Sequence, residues 1–112
     1  MDRALRAALV AVLMAVSASS QAQPPGLAAF KASNAYIDCL VRTARKLDDG
    51  HSAVAAVGRS VQDRCLAEQH SWEQAQTANY TADKKRAFLE GMKVHTEALA
   101  IQTVTELRKL KL

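Results

Sequence analysis

The 112-residue sequence has few of the residues that interrupt helices. Proline occurs only at Pro24 and Pro25, and glycine after them is confined to Gly26 and to three further positions, Gly50, Gly58 and Gly91. No run of alternating β-branched residues predicts a strand, whereas the helix-favouring residues alanine, leucine, glutamine, lysine and arginine dominate. The sequence therefore predicts a chain that is helical nearly throughout.

The patterns that catalysis requires are also missing. No serine lies in a strained elbow motif, no glycine-rich loop is present to hold a phosphate, and the carboxylates are spread along the predicted helices. The net charge of +4 comes from interspersed cations and anions, whereas nucleic-acid binders concentrate positive charge on one face. We therefore predict a protein that is not an enzyme, needs no cofactor and binds no nucleic acid.

The first 22 residues have the three regions of a secretory signal peptide. A basic start with Arg3 and Arg6 precedes the apolar run Ala7–Ala18, and small and polar residues follow as far as Ala22. The run is shorter than the roughly 20 residues that span a bilayer, although a retained membrane anchor is the alternative. We predict a signal-peptide helix in 1–22, cleaved after Ala22 (or after Ala18), and a mature helical domain in 23–112. The mature protein is then periplasmic or secreted and not an integral membrane protein.

Apolar residues at three- and four-residue steps predict three helices in the mature chain. The first spans Leu27–Leu47 and the second about Ser52–Ala78, with Ser52 as the N-cap. The third runs from Ala82, after an N-cap at Thr81, to near the C-terminus. Short turns make neighbouring helices antiparallel, which predicts an all-α, up-down-up three-helix bundle built from a helical hairpin and a long C-terminal helix.

The unequal lengths of these helices suggest how they pack. The third helix would be about 45 Å long and the first nearer 30 Å, so the end of the third helix is expected to overhang the bundle. Trp72 is expected to pack with Val61 and Phe88 in the core. Gly58 is expected to mark a close approach to another helix, with a local kink as the alternative.

The two cysteines, Cys39 and Cys65, lie in the first and second predicted helices. Measured from the turn between the two helices, the cysteines lie at heights that differ by about 6 Å along the helix axes. The turn must take up this offset of a few residues, for example through a frayed start to the second helix. In an oxidising compartment we predict an inter-helix disulfide, the alternatives being two free thiols or an intermolecular bridge. Met92 and His95 share a helix face, as copper ligands would, but such a pair is common by chance and predicts no metal site.

A second, thinner apolar line follows the third helix nearly opposite its main apolar face, and the helix ends in a basic turn. A helix that is apolar on two sides is buried on both or has a second partner. We predict that this surface binds a partner, most simply another copy of the chain, the alternatives being another protein, an acidic membrane surface, or coverage by the first two helices. The predicted interaction surface comprises Ala87, Val94, Ile101, Arg108, Lys109 and Lys111.

The segments Tyr36–Leu40, Lys46–Gly50, Cys65 and Lys85–Met92 together form a pattern of the type Y-x-x-C followed by a second cysteine and a long helix. The pattern resembles small exported bacterial two-cysteine helical proteins of unknown function, which implies a helical fold and one disulfide but no activity. In size and compartment the chain is loosely similar to the periplasmic acid-stress chaperones, whose cysteines lie further apart. The expected function is protein–protein binding or client holding, with a small-molecule or metal-ion binder using an inter-helix cleft as the alternative.

Overall fold

A computed structural model describes residues 26–111, and helices joined by short turns make up this part of the chain, with no strand. The helices are α1 (Leu27–Leu47), α2 (Val54–Arg64), α3 (Leu66–Gln76) and α4 (Ala82–Leu110). The predicted all-α fold is confirmed, and α1 and α4 begin at the predicted residues. The predicted signal peptide, 1–22, lies outside the described residues.

The turn after α1 is held by two successive aspartates. Asp48 Oδ1 accepts a hydrogen bond from the Gly50 N–H at 3.0 Å, and Gly50 has a φ of 79°, a conformation that glycine adopts without strain. Asp49 Oδ1 accepts from the N–H groups of His51 and Ser52, both at 2.8 Å, and Asp49 Oδ2 accepts from the Ser52 hydroxyl at 2.7 Å. Because Ser52 is held by Asp49, it does not cap the next helix, which begins at Val54 instead.

The predicted second helix is also wrong in its continuity, because the structure divides it into α2 and α3. The break is at Cys65, whose φ of −110° and ψ of 19° depart from helical values. Its N–H donates to the Gln62 carbonyl, three residues earlier, at 3.0 Å. The bundle therefore contains four helices rather than three, and α3 is free to take its own direction.

Cys39 and Cys65 form the predicted disulfide, with the sulfurs 2.13 Å apart and the Cα atoms 5.9 Å apart. The bridge joins the middle of α1 to the break between α2 and α3. Both residues are buried. The axial offset is absorbed as expected, through the late start of α2 at Val54.

Trp72 of α3 is buried at the centre of an aromatic cluster, as predicted. Its ring lies 6.3 Å from that of Phe88 in α4, edge to face. The ring of Tyr36 in α1 stacks on Trp72 at 6.2 Å, a partner that the sequence analysis did not identify. The cluster therefore ties α1, α3 and α4 together at one level of the bundle.

The end of α4 does not overhang the bundle, which corrects the expectation that it would. Arg108, near the end of α4, contacts Asp48 at the end of α1, so both helices begin at the opposite end of the molecule. Residues 82–87 are all exposed, whereas Leu107 is buried and Leu110 packs against the core. The molecule is 44 Å long, which α4 spans by itself.

Gly58 of α2 lies against Ile101 of α4, which confirms the predicted close approach. A Cβ atom at Gly58 would be 2.7 Å from Ile101 Cγ1 and 2.9 Å from Ile101 Cα. The second distance involves backbone, so a rotamer change cannot relieve it. α2 runs through this position without interruption, so the alternative of a kink does not apply.

Gly58→Ala should therefore destabilise the fold by about 1–3 kcal/mol, the usual cost of overpacking, although alanine is the better helix former. Gly91 is the matched control, because it lies inside α4 with nothing within 4 Å of an added Cβ. Gly91→Ala should stabilise by up to about 1 kcal/mol. Urea unfolding of both variants measures the difference, and equal shifts of the same sign would contradict the close packing.

Candidate interaction surface

The predicted apolar line on α4 has two halves with different environments. Val94 is 76% exposed, and Ala87 is exposed as well. Ile101, one heptad further along, is half-buried against Gly58. The first half of the line is therefore a free surface, and the second half is part of the contact between α2 and α4.

The exposed half continues through Gly91 and Ala98, so that small residues follow one another at steps of four, three and four. We call Ala87, Gly91, Val94 and Ala98 the side stripe. These steps are those of a helix–helix seam. Small side chains at such positions allow another helix to approach closely.

The basic C-terminal turn is engaged within the molecule. Arg108 Nη2 donates to Asp48 Oδ1 at 2.7 Å and to the Ser52 carbonyl at 2.6 Å, while Arg108 Nε donates to Asp48 Oδ2 at 3.0 Å. Lys109 Nζ lies 3.1 Å from Glu106 Oε1, and Lys111 is exposed. Of the three predicted cations, Arg108 therefore holds the end of α4 against the turn after α1.

The side chain of Asp48 is 4% exposed, and the Arg108 hydrogen bonds lower the pKa of this carboxyl below its usual value. A lowered pKa in the folded state means that the ion pair stabilises the fold above the unfolded pKa of about 3.9. The contribution is lost as the pH falls through the lower, folded-state pKa.

Arg108→Gln should accordingly lower the melting temperature at neutral pH, and its difference from the wild type should shrink as the pH falls below about 4. Burial lowers the pKa of His95, but this effect is common to both proteins and cancels in the difference. Lys109→Gln is the control, because its exposed partner is on the same helix. An Arg108→Gln deficit that is constant with pH would contradict the assignment.

A second group of cations lies at the other end of α4, where the sequence analysis did not look for it; two of them make local contacts, Arg86 with Asp83 at 3.4 Å and Lys84 over the Tyr80 ring at 4.5 Å. Lys84, Lys85 and Arg86 are consecutive and exposed in the first turns of the helix. Cations at a helix N-terminus oppose its dipole, so their placement costs stability. Three cations at a predicted helix start, where the helix dipole disfavours them, are the signal by which the sequence could have identified this basic segment.

Several buried polar atoms find no hydrogen-bond partner within residues 26–111. They are Tyr36 Oη, Gln69 Oε1, Gln76 Oε1 and His95 Nε2. Burial raises the pKa of Tyr36, and the negative charge of Glu73 adds to the rise. This hydroxyl therefore stays protonated, a packed phenol rather than a proton carrier.

The candidate metal ligands are not brought together. Met92 is buried in the core and His95 is half-buried, while His51 and His70 are exposed. No group of three histidine, cysteine, aspartate or glutamate side chains within residues 26–111 is placed to hold a metal ion.

An open hollow of about 440 Å³ lies beside α2. Its lining is Leu47, Ser52, Ala56, Val57, Ser60, Asp63 and Arg64. It is a surface depression with an adjacent acid and base.

Across the described helices, none is both long and apolar enough to cross a membrane. No family model matches the chain, and no curated protein or solved structure shows significant similarity to it.

Proposed function

We propose that this protein is exported and acts without catalysis, by binding another protein chain through the side stripe of α4. The observation that carries the proposal is the exposure of Val94, 76%, on a helix whose other side is buried in the core through Met92 and Leu99. An apolar residue left in water within a line of small residues is typical of an interaction site. The buried disulfide fits an oxidising compartment, outside the cytoplasm.

The architecture that fits this function runs up, down and up. In it α1 ascends, α2 and α3 together form the descending limb, and α4 ascends again. α4 packs mainly on α2 and also on α1, while α3 packs on α1. The break at Cys65 thus directs α3 towards α1, so the first half of α4 has few neighbours among the described helices and remains available to a partner.

A second copy of the chain is the simplest partner, because a helix seam of small residues is self-complementary in a two-fold dimer. An unfolding client or a different protein would use the same stripe.

The pair Ala87→Asp and Val94→Asp tests this surface, because both positions are exposed and two charges should abolish binding without unfolding the bundle. Ile101 is unsuitable for this purpose, since it packs against Gly58. Gln74→Asp with Asn79→Asp adds the same charge at exposed positions elsewhere. Sedimentation velocity measures self-association, and suppression of the aggregation of an unfolding client measures holding.

We expect the side-stripe variant to keep its helix content and disulfide but to lose dimerisation or holding, whereas the control keeps both. If the side-stripe variant retains every association of the wild type, the proposed surface is wrong.

A further inference from the structure

One end of the bundle carries all of the net positive charge of the described chain. We call this the basic end, formed by the first two turns of α1 and of α4, with the residues Leu27, Phe30, Lys31, Asp83, Lys84, Lys85 and Arg86. Residues 26–111 contain 13 Lys or Arg and 10 Asp or Glu. Four of these cations and one of these anions lie at the basic end, so the remainder of the described chain carries nine of each and is neutral.

The same end of the bundle also carries exposed apolar residues. Leu27 is 68% exposed and Phe30 is 40% exposed, both at the start of α1. The two helix starts share this end because Tyr36, Trp72 and Phe88 stack at one level further up. Large apolar side chains next to lysine and arginine are the combination that lies in the interface of an anionic membrane.

We propose that the basic end binds an anionic phospholipid surface, with the phosphate headgroups on the cations and with Leu27 and Phe30 in the interface. The proposal is independent of the side stripe and adds a second binding partner to the protein.

The size of the basic end favours a membrane over a protein partner. The molecule measures 24 × 20 Å across its long axis, so the end face is smaller than the roughly 800 Å² that each partner contributes to a stable protein interface. A lipid surface needs no such area, because each cation near it strengthens binding about fivefold.

The direction of the chain points to the same partner. Residues 1–25 join α1 at this end, through Gly26. The predicted signal peptide would therefore leave the basic end facing the membrane from which the chain emerges.

Cation substitutions test the proposal on the protein isolated from the exported fraction, with its mass measured first to establish whether the leader is retained. The test variant is Lys84→Gln, Lys85→Gln and Arg86→Gln. The matched control is Arg42→Gln, Lys46→Gln and Lys111→Gln, which removes the same charge from exposed positions elsewhere. Binding is measured by co-sedimentation with phosphatidylcholine vesicles, with and without one third phosphatidylglycerol.

We expect binding to the anionic vesicles alone, about 100-fold weaker in the test variant than in the control. Binding should disappear in 1 M salt, where the Debye length is about 3 Å. Leu27→Ser with Phe30→Ser should weaken it as well, at unchanged net charge.

Three results would overturn the proposal. Equal losses in the test variant and the control would show that net charge, not the basic end, is responsible. Equal binding to neutral vesicles would exclude headgroup recognition. Failure on vesicles combined with salt-sensitive capture by polyglutamate would assign the basic end to an acidic protein segment instead.

Discussion

Reduction of the Cys39–Cys65 disulfide should lower the free energy of unfolding by about 3.5 kcal/mol, the chain-entropy value for a closed loop of about 27 residues. Small domains have only about 5–15 kcal/mol of stability in all, so the loss should move the denaturation midpoint far. Both sulfurs are buried, and reductant should therefore act slowly on the folded protein.

The measurement is urea unfolding with and without a dithiol reductant, with the thiol count confirmed by mass. The double variant Cys39→Ala and Cys65→Ala is the control for the reductant itself, since it has no disulfide to lose. An unchanged midpoint in fully reduced wild-type protein would show that packing alone holds α1 to the Cys65 break.

Trp72→Ala should cost about 3–5 kcal/mol, which is typical of removing a fully buried aromatic side chain. The ring contacts Tyr36 in α1 and Phe88 in α4, so its removal weakens the packing between three helices at once. Trp72 is the only tryptophan in the sequence. The fluorescence emission maximum of the native protein should therefore lie at a shorter wavelength than that of free tryptophan in water, and unfolding should move it to a longer wavelength.

Tyr36→Phe is the matched control for the aromatic cluster. It keeps the ring that stacks on Trp72 and removes a buried hydroxyl that has no partner among the described residues. We expect this variant to be neutral or slightly stabilised, because a buried polar group without a hydrogen bond is costly. A native emission maximum like that of water-exposed tryptophan would refute the buried position of Trp72 directly.

Local sequence was sufficient to identify both ends of α1 and the start of α4. Thr81 accepts a hydrogen bond from the Lys84 N–H at 3.2 Å, as its position before a helical pattern indicated. The turn at Asp48–Gly50 was equally predictable, because the aspartate side chains accept hydrogen bonds there from backbone N–H groups two or three residues later. The disulfide was predicted from two cysteines in adjacent predicted helices, together with the expectation that the chain is exported.

The candidate surface was only half predictable. Periodicity indicated a second apolar line on α4, but it could not distinguish Val94, which is exposed, from Ile101, which packs on Gly58. In the same way, the sequence placed Arg108 on the predicted interaction surface, whereas the structure pairs it with Asp48, 60 residues away. Lys84, by contrast, remained exposed at a helix start where the dipole disfavours it.

The sequence by itself determined the helical composition, the starts of α1 and α4 and the turn between the first two limbs, because those features depend on side chains within a few residues of each other. The tertiary structure alone decided the break at Cys65, the alignment of the end of α4 with the end of α1, and the pairing of Arg108 with Asp48. These features depend on the axial position of one helix relative to the next, which is set by contacts such as Gly58 with Ile101 and Asp48 with Arg108. Such contacts join residues distant in the chain, and a periodic pattern carries no information about them.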